Sequence, residues 1–213
     1  MYPKNLFKSM LIILLLYGCT ANKATLKTYV NPTLNASRIN SVAIFALRNA
    51  FVQKNSELGT GEMIDINRMF QMEFAKKNPN TKLIDAVSST DILNQNNLVN
   101  SYDTLLRVFE NTGIPNTQIL KKIGNKLATD AIMQGFVKEV FQRDGVYGGN
   151  RGETKIVVKY VMFSNTTGDV LWESSYEGYK GTSTTLAKAP PISDVIEILK
   201  KKLPGSLPAL STK

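Results

Sequence analysis

The spacing of apolar residues divides the chain into segments. Met10 to Tyr17 form one short unbroken apolar block behind Lys4 and Lys8. Residues 20–40 are polar, with Asn31-Pro32 marking a turn, and read as a linker with at most a short extended piece at Thr28–Val30. Ser41–Leu47 is a continuous apolar run of strand length, the pattern of a strand covered on both faces. From Glu62, the residues Met63, Ile66, Phe70 and Phe74 recur at helical spacing until Pro79. Lys82–Ala86 then reads as a short strand, so strand, helix and strand predict a parallel pair.

Residues 88–128 read as three helical segments. Ser88 or Ser89 caps 90–97, a second segment covers 101–111 and stops near Gly113, and Asn116 caps a third with Ile119, Leu120, Ile123 and Leu127 in one stripe. The period then changes. Asp130–Arg143, Lys155–Ser164 and Val170–Gly181 are rich in Val, Ile, Tyr and Phe and read as strands, the last two joined by a turn at 165–169. Ser193 is expected to cap a final helix with Val195, Ile196, Leu199 and Leu203 inward, ended by Pro204 and followed by a disordered tail at 204–213. The sum is an α/β (α+β) domain over 41–203. It has a three-layer-like build and a mixed sheet of about five strands, with a parallel start and an antiparallel meander at its C-terminal end.

The opening block is too short for a bilayer, which needs roughly 20 apolar residues. Its two lysines, apolar core and small Gly18 fit a cleaved export signal over 1–18. Leu16-Tyr17-Gly18-Cys19 resembles the lipobox of bacterial lipoproteins, with Tyr17 where a small residue is usual. The resemblance implies cleavage between Gly18 and Cys19 and acylation of the Cys19 thiol, so that 19–40 forms the lipid anchor and a polar tether. Thr20 after the cysteine implies sorting to the outer membrane, with the domain at its periplasmic face. Two or three acyl chains give lasting attachment where one does not.

Composition narrows the chemistry. The 213 residues carry a net charge of +9, of which Lys4 and Lys8 supply two, leaving about +7 after cleavage. A basic envelope protein meets anionic lipid or acidic wall polymer rather than nucleic acid. There is no histidine and one cysteine, so an intrachain disulfide, a Ser-His or Cys-His pair and most zinc sites are excluded. The glycine-rich 148–155 stretch lacks the spacing of a phosphate loop and reads as a hairpin loop. Glu173 and Glu177 share a strand face about 13 Å apart, too far for joint acid/base work. Met63, Met69 and Met72 read as packing. No cofactor, no metal ligand set and no catalytic residue is assigned, and the chain is expected to be non-enzymatic.

Three local stretches act together: Val42-Ala-Ile-Phe45 after a polar linker, a helix-to-strand passage from Leu120 through Gly124 and Asp130 to Gly135, and Asn165-Thr-Thr-Gly-Asp-Val-Leu-Trp172. This order resembles the superfamily of envelope lipoproteins that contains the curli secretion channel and the penicillin-binding-protein activators. The resemblance covers roughly 40–203 and implies a fold like the amino-terminal domain of TolB, without catalysis. It implies binding or regulation of a cell-envelope assembly complex through an unidentified envelope protein. Its alternative is a homo-oligomeric subunit of an export apparatus. A barrel-forming subunit needs strands of ~9–11 alternating residues beyond the core, and the short, charged Arg143–Thr154 loop adds none.

Overall fold

The computed structural model describes residues 22–35, 39–50 and 57–210. A seven-stranded mixed sheet forms the middle layer, with helices on both sides. Its strands are β1 (Asn22–Val30), β2 (Ser41–Ile44), β3 (Arg48–Asn49), β4 (Lys82–Ile84), β5 (Ala131–Arg143), β6 (Glu153–Ser164) and β7 (Val170–Gly181). The helices are α1 (Thr60–Lys77), α2 (Ala86–Gln95), α3 (Val99–Thr112), α4 (Thr117–Leu127) and α5 (Ile192–Ser206). The strand order is β1-β7-β6-β5-β2-β4, with β3 also paired to β5.

The sheet has two halves. β2 lies between β4 and β5 and is parallel to both, and its Val42, Ala43 and Ile44 are buried whichever way they point. β5, β6, β7 and β1 form an antiparallel meander. One carboxylate joins the halves: Asp130 accepts from the backbone N–H groups of Asn40 and Ser41 and from the Ser41 hydroxyl at 2.8–2.9 Å. The Asp130 N–H in turn donates to the Ser41 hydroxyl.

The first face of the sheet is covered by α1 and α5. Phe70 of α1 stacks on Tyr160 of β6, with ring centroids 3.6 Å apart and planes 9° apart, and touches Phe74 and Trp172. Val195, Leu199 and Leu203 of α5 complete this core. Gly178 of β7 lets α5 approach closely, since a Cβ there would lie 2.8 Å from Val195. The second face carries α2, α3 and α4, whose Leu93, Leu105, Leu106, Phe109, Leu120 and Ile123 pack on Phe45, Ile132, Phe136, Val161 and Phe163.

The recurring motif stretches are structural. Gly124 of α4 lies where a Cβ would meet the Asn165 side chain at 2.4 Å, and that side chain donates to the Thr129 carbonyl at 2.8 Å. Gly168 in the β6–β7 turn has φ +83°, and a Cβ on it would strike Thr117 at the start of α4. Helix, strand and turn are thereby locked together, without a reactive group among them.

The expected mixed sheet, with its parallel start and antiparallel meander, is present and counts seven strands. Three expectations are corrected. The segment expected as a tether holds β1, a nine-residue strand paired with β7 from Asn22↔Lys180 to Val30↔Trp172. Its alternation, Lys23, Thr25 and Lys27 against Ala24 and Leu26, is short and mostly polar, as suits an edge strand. The 204–213 tail is ordered as far as 210. α5 passes through Pro204 to Ser206, Leu207 is buried, and the Asn78 side chain binds the Pro208 carbonyl and the Leu210 N–H. Finally, the helix caps shift. Asp85, not a serine, caps α2 by accepting from Val87 and Ser88, and Pro191 rather than Ser193 precedes α5. Asn116 caps α4 as its position predicts, accepting from Ile119 at 3.1 Å.

Candidate binding face

Gly18 and Cys19, the predicted cleavage and lipidation residues, lie outside the described residues. What the structure does describe is the domain that follows them almost at once. β1 opens at Asn22, and three residues of chain span at most about 11 Å. The start of β1 pairs with the end of β7, which pairs with the start of β6, which pairs with the end of β5. Asn22 and the β5–β6 and β7–α5 connections therefore share one end of the sheet.

Towards that end the second face is open. α2, α3 and α4 form a compact insert between β4 and β5 that covers only the other end, and the remaining helices, α1 and α5, lie on the first face. The uncovered rows read Glu139, Val157, Glu177 and Thr25 across the four strands, then Phe141, Lys155, Tyr179 and Lys23. Their charges interlock: Lys155 pairs with Glu139 and Lys159 with Glu173, both at 2.7 Å, and Arg143 pairs with Glu153 at 2.6 Å. These are part-exposed pairs, each worth about 0–1 kcal/mol, so they set a charge pattern more than they hold the fold. The Arg143 guanidinium also lies 5.6 Å from the centre of the Phe141 ring.

Where α3 ends, a groove of about 330 Å³ runs between the helix and the face, lined by Tyr29, Phe109, Glu110, Lys138, Lys159 and Glu173 among others. A bulge between Val137 and Glu139 in β5 leaves Lys138 out of the ladder and brings it to Glu110 at 3.5 Å. A second groove, of about 460 Å³, opens beyond the C-terminal ends of β2 and β4, between the N-termini of α1 and α2, with Met63, Ile64 and Val87 on its walls.

The shifted groups move away from neutral pH. Burial raises the Tyr102 and Tyr160 hydroxyls well above their usual value and raises Tyr176. Tyr179 is raised by burial and by its hydrogen bond to the Glu153 carboxylate at 3.1 Å. The Asp85 carboxyl is lowered, chiefly by the Ser88 N–H it accepts, against a smaller opposing effect of burial. These groups keep one protonation state across physiological pH.

Of the other sequence candidates, the 148–155 stretch is a loop and the start of β6, and Glu173 is held by Lys159. Met63 and Met69 pack against the first core, while Met72 is exposed. No cluster of three or more His, Cys, Asp or Glu able to hold a metal occurs among the described residues. No helix among them is long and apolar enough to cross a membrane. Sequence reasoning missed the open face, because it depends on where three helices stop. It also missed the apolar loop tips at the end where β1 starts, which carry no local pattern.

The fold is thus a three-layer α/β domain with one face half uncovered. No family model matches the chain, and no curated protein matches it. Solved structures of similar backbone include the PelC dodecamer from Paraburkholderia phytofirmans, 14% identical over 87% of this chain and 99% of that one, with a TM-score of 0.46. Lipoprotein GNA1162 from Neisseria meningitidis is 12% identical over 76% of this chain and 94% of that one, with a TM-score of 0.44. The LpoB C-terminal domain from Salmonella enterica is 10% identical over 67% of this chain and 85% of that one, with a TM-score of 0.39. The functional reading rests on the chain's own residues.

Proposed function

We propose that this chain is a non-enzymatic lipoprotein of the cell envelope, held at the periplasmic face of the outer membrane by acylated Cys19, that binds or regulates an envelope assembly complex. The observation that carries the reading is the uncovered antiparallel face of β5, β6, β7 and β1, on a domain that starts three residues after the lipobox cysteine. Phe141, Val157 and Tyr179 give that face apolar ground, and its lysines and glutamates give it a register for a complementary partner. The short reach from Cys19 has a consequence that a long tether would not: the partner must itself come to the membrane surface.

The test is in-cell photo-crosslinking from Ser175 and Glu177 on the open face, with Arg107 on the outer side of α3 as control. The expected result is one envelope assembly protein captured from both β7 positions and not from Arg107. Equal capture from all three positions, or none from β7, contradicts the reading.

A second reading is favoured by the edge of the sheet. β1 is an uncapped nine-residue edge strand, and Leu26, Tyr29 and Val30 on it are 39%, 52% and 47% exposed. Pairing of such edges between copies would build the export-ring subunit of the alternative. Electron microscopy of the full-length protein in detergent separates the two: closed rings support the second reading, single domains the first.

A further inference from the structure

The two connections at the end where β1 starts are built as one unit. The Gly145 N–H donates to the Ala187 carbonyl at 2.9 Å, the Ala189 N–H to the Asp144 carboxylate at 2.7 Å, and the Thr182 N–H to the Gly152 carbonyl at 2.8 Å. Gly145 and Gly152 are where the strands of chain touch, since a Cβ on either would lie 2.3 Å from the Thr185 carbonyl or 2.6 Å from the Ala187 carbonyl. A tight turn closes the first loop, with Gly149 N–H on the Val146 carbonyl and Val146 N–H on the Asn150 carbonyl. Held this way, the loops put Val146, Tyr147 and Leu186 outward at 60%, 85% and 68% exposure.

Exposed apolar residues occur elsewhere too, as at Val87 and Ile114. Those at 146, 147 and 186 differ in their neighbours. They share the end of the sheet where β1 starts, so the chain from Cys19 allows about 11 Å at most between the acylated residue and Asn22. Three cations stand at the same end, Lys23, Arg151 and Lys188, and none forms an ion pair among the described residues. Arg143 and Lys180 are matched by Glu153 and Asp194, which leaves Asp144 and, one row further in, Glu177 against three cations outside any ion pair. A Tyr with its ring exposed, two aliphatic side chains and surrounding Lys and Arg are the chemistry of a surface that sits at the head-group level of an anionic bilayer.

We propose that this end is a bilayer-docking surface. The paired loops place Val146, Tyr147 and Leu186 at the head-group boundary, and Lys23, Arg151 and Lys188 lie on anionic head groups, which fixes the open face upright on the membrane. The proposal rests on the anchor reading of Cys19. It adds orientation: a domain held by its acyl chains alone would have no fixed bearing on the membrane, whereas a docked one presents a fixed face to its partner.

Because Cys19 is the only cysteine, a new one at a surface position is a unique label site once Cys19 is acylated. The full-length acylated protein is reconstituted into vesicles of phosphatidylethanolamine and phosphatidylglycerol with an environment-sensitive fluorophore on Tyr147→Cys, Leu186→Cys, Val87→Cys or Ile114→Cys. Lipids carrying a nitroxide at the head-group end of the acyl chain act as quencher. The expected result is a blue-shifted, quenched label at 147 and 186 and a water-like, unquenched one at 87 and 114. Replacing phosphatidylglycerol by phosphatidylcholine should lower the quenching at 147 about twofold or more; unchanged quenching overturns the charge part of the proposal. The mass of the N-terminal fragment reads lipidation separately. An acylated chain with water-exposed labels at 147 and 186 overturns the docking surface and leaves the anchor standing. An unacylated chain overturns the anchor and the surface with it. Shielding of both labels in the Cys19→Ser chain, in buffer without detergent or vesicles, assigns the end to self-association and also overturns the proposal.

Discussion

The two halves of the sheet solve the same problem differently. β2, at the centre of the parallel half, is buried on both faces, and its sequence is unbroken apolar from Val42 to Leu47. β7, in the antiparallel half, buries Trp172, Ser174 and Tyr176 against α5 and turns Glu173, Ser175 and Glu177 to solvent. The first half is closed scaffold. The second has a free face, and that face lies toward the end where β1 starts at Asn22. Stability should therefore reside in the closed core and tolerance to change on the open face.

The sharpest break in that contrast comes from the core. Phe70→Ala removes the ring stacked on Tyr160 and should cost about 3–5 kcal/mol, whereas Val157→Ala on the open face should cost about 1 kcal/mol or less. Chemical denaturation of both variants measures the difference. Next, Asp130→Ala strands the N–H groups of Asn40 and Ser41 and the Ser41 hydroxyl where the two halves meet, a loss of about 1–3 kcal/mol by the same measurement.

A third prediction uses the buried tyrosines. In the unfolded chain they ionise from about pH 10, while burial keeps Tyr102 and Tyr160 protonated to higher pH in the fold. The folded state then holds more protons, so stability is intact below pH 10 and falls as pH rises beyond it. The Tyr160 hydroxyl has no hydrogen-bond partner among the described residues. Tyr160→Phe should accordingly cost little at pH 7 and make the alkaline decline shallower by up to about 1.4 kcal/mol per pH unit. The smallest effect is expected on the open face, where Lys159→Ala, breaking the pair with Glu173, should change stability by about 1 kcal/mol or less.

The same contrast explains what could be read from the residues alone. The apolar run at 42–47, the helical stripe of Met63, Ile66, Phe70 and Phe74, and the alternation around Trp172 each carry their period locally, and each became the expected element. β1 did not, because the alternation of Lys23, Thr25 and Lys27 with Ala24 and Leu26 is short and offers only two apolar positions. It is a strand only because β7 supplies its hydrogen bonds. The order of residues 204–210 depends on Asn78, more than a hundred positions earlier, so no local reading could find it. The motif glycines Gly124 and Gly168 were legible as a pattern, but their reasons, Asn165 and Thr117, appear only in three dimensions. The surface at the end where β1 starts was not legible, because contacts between the β5–β6 and β7–α5 connections build it.

The central claim is that this domain is held at a membrane by Cys19. Intact mass spectrometry of the protein purified from the membrane fraction tests it most directly. The account predicts a chain that begins at Cys19 and carries the added mass of two or three acyl chains. A chain that keeps residues 1–18, or one cut elsewhere with an unmodified thiol at Cys19, would contradict it.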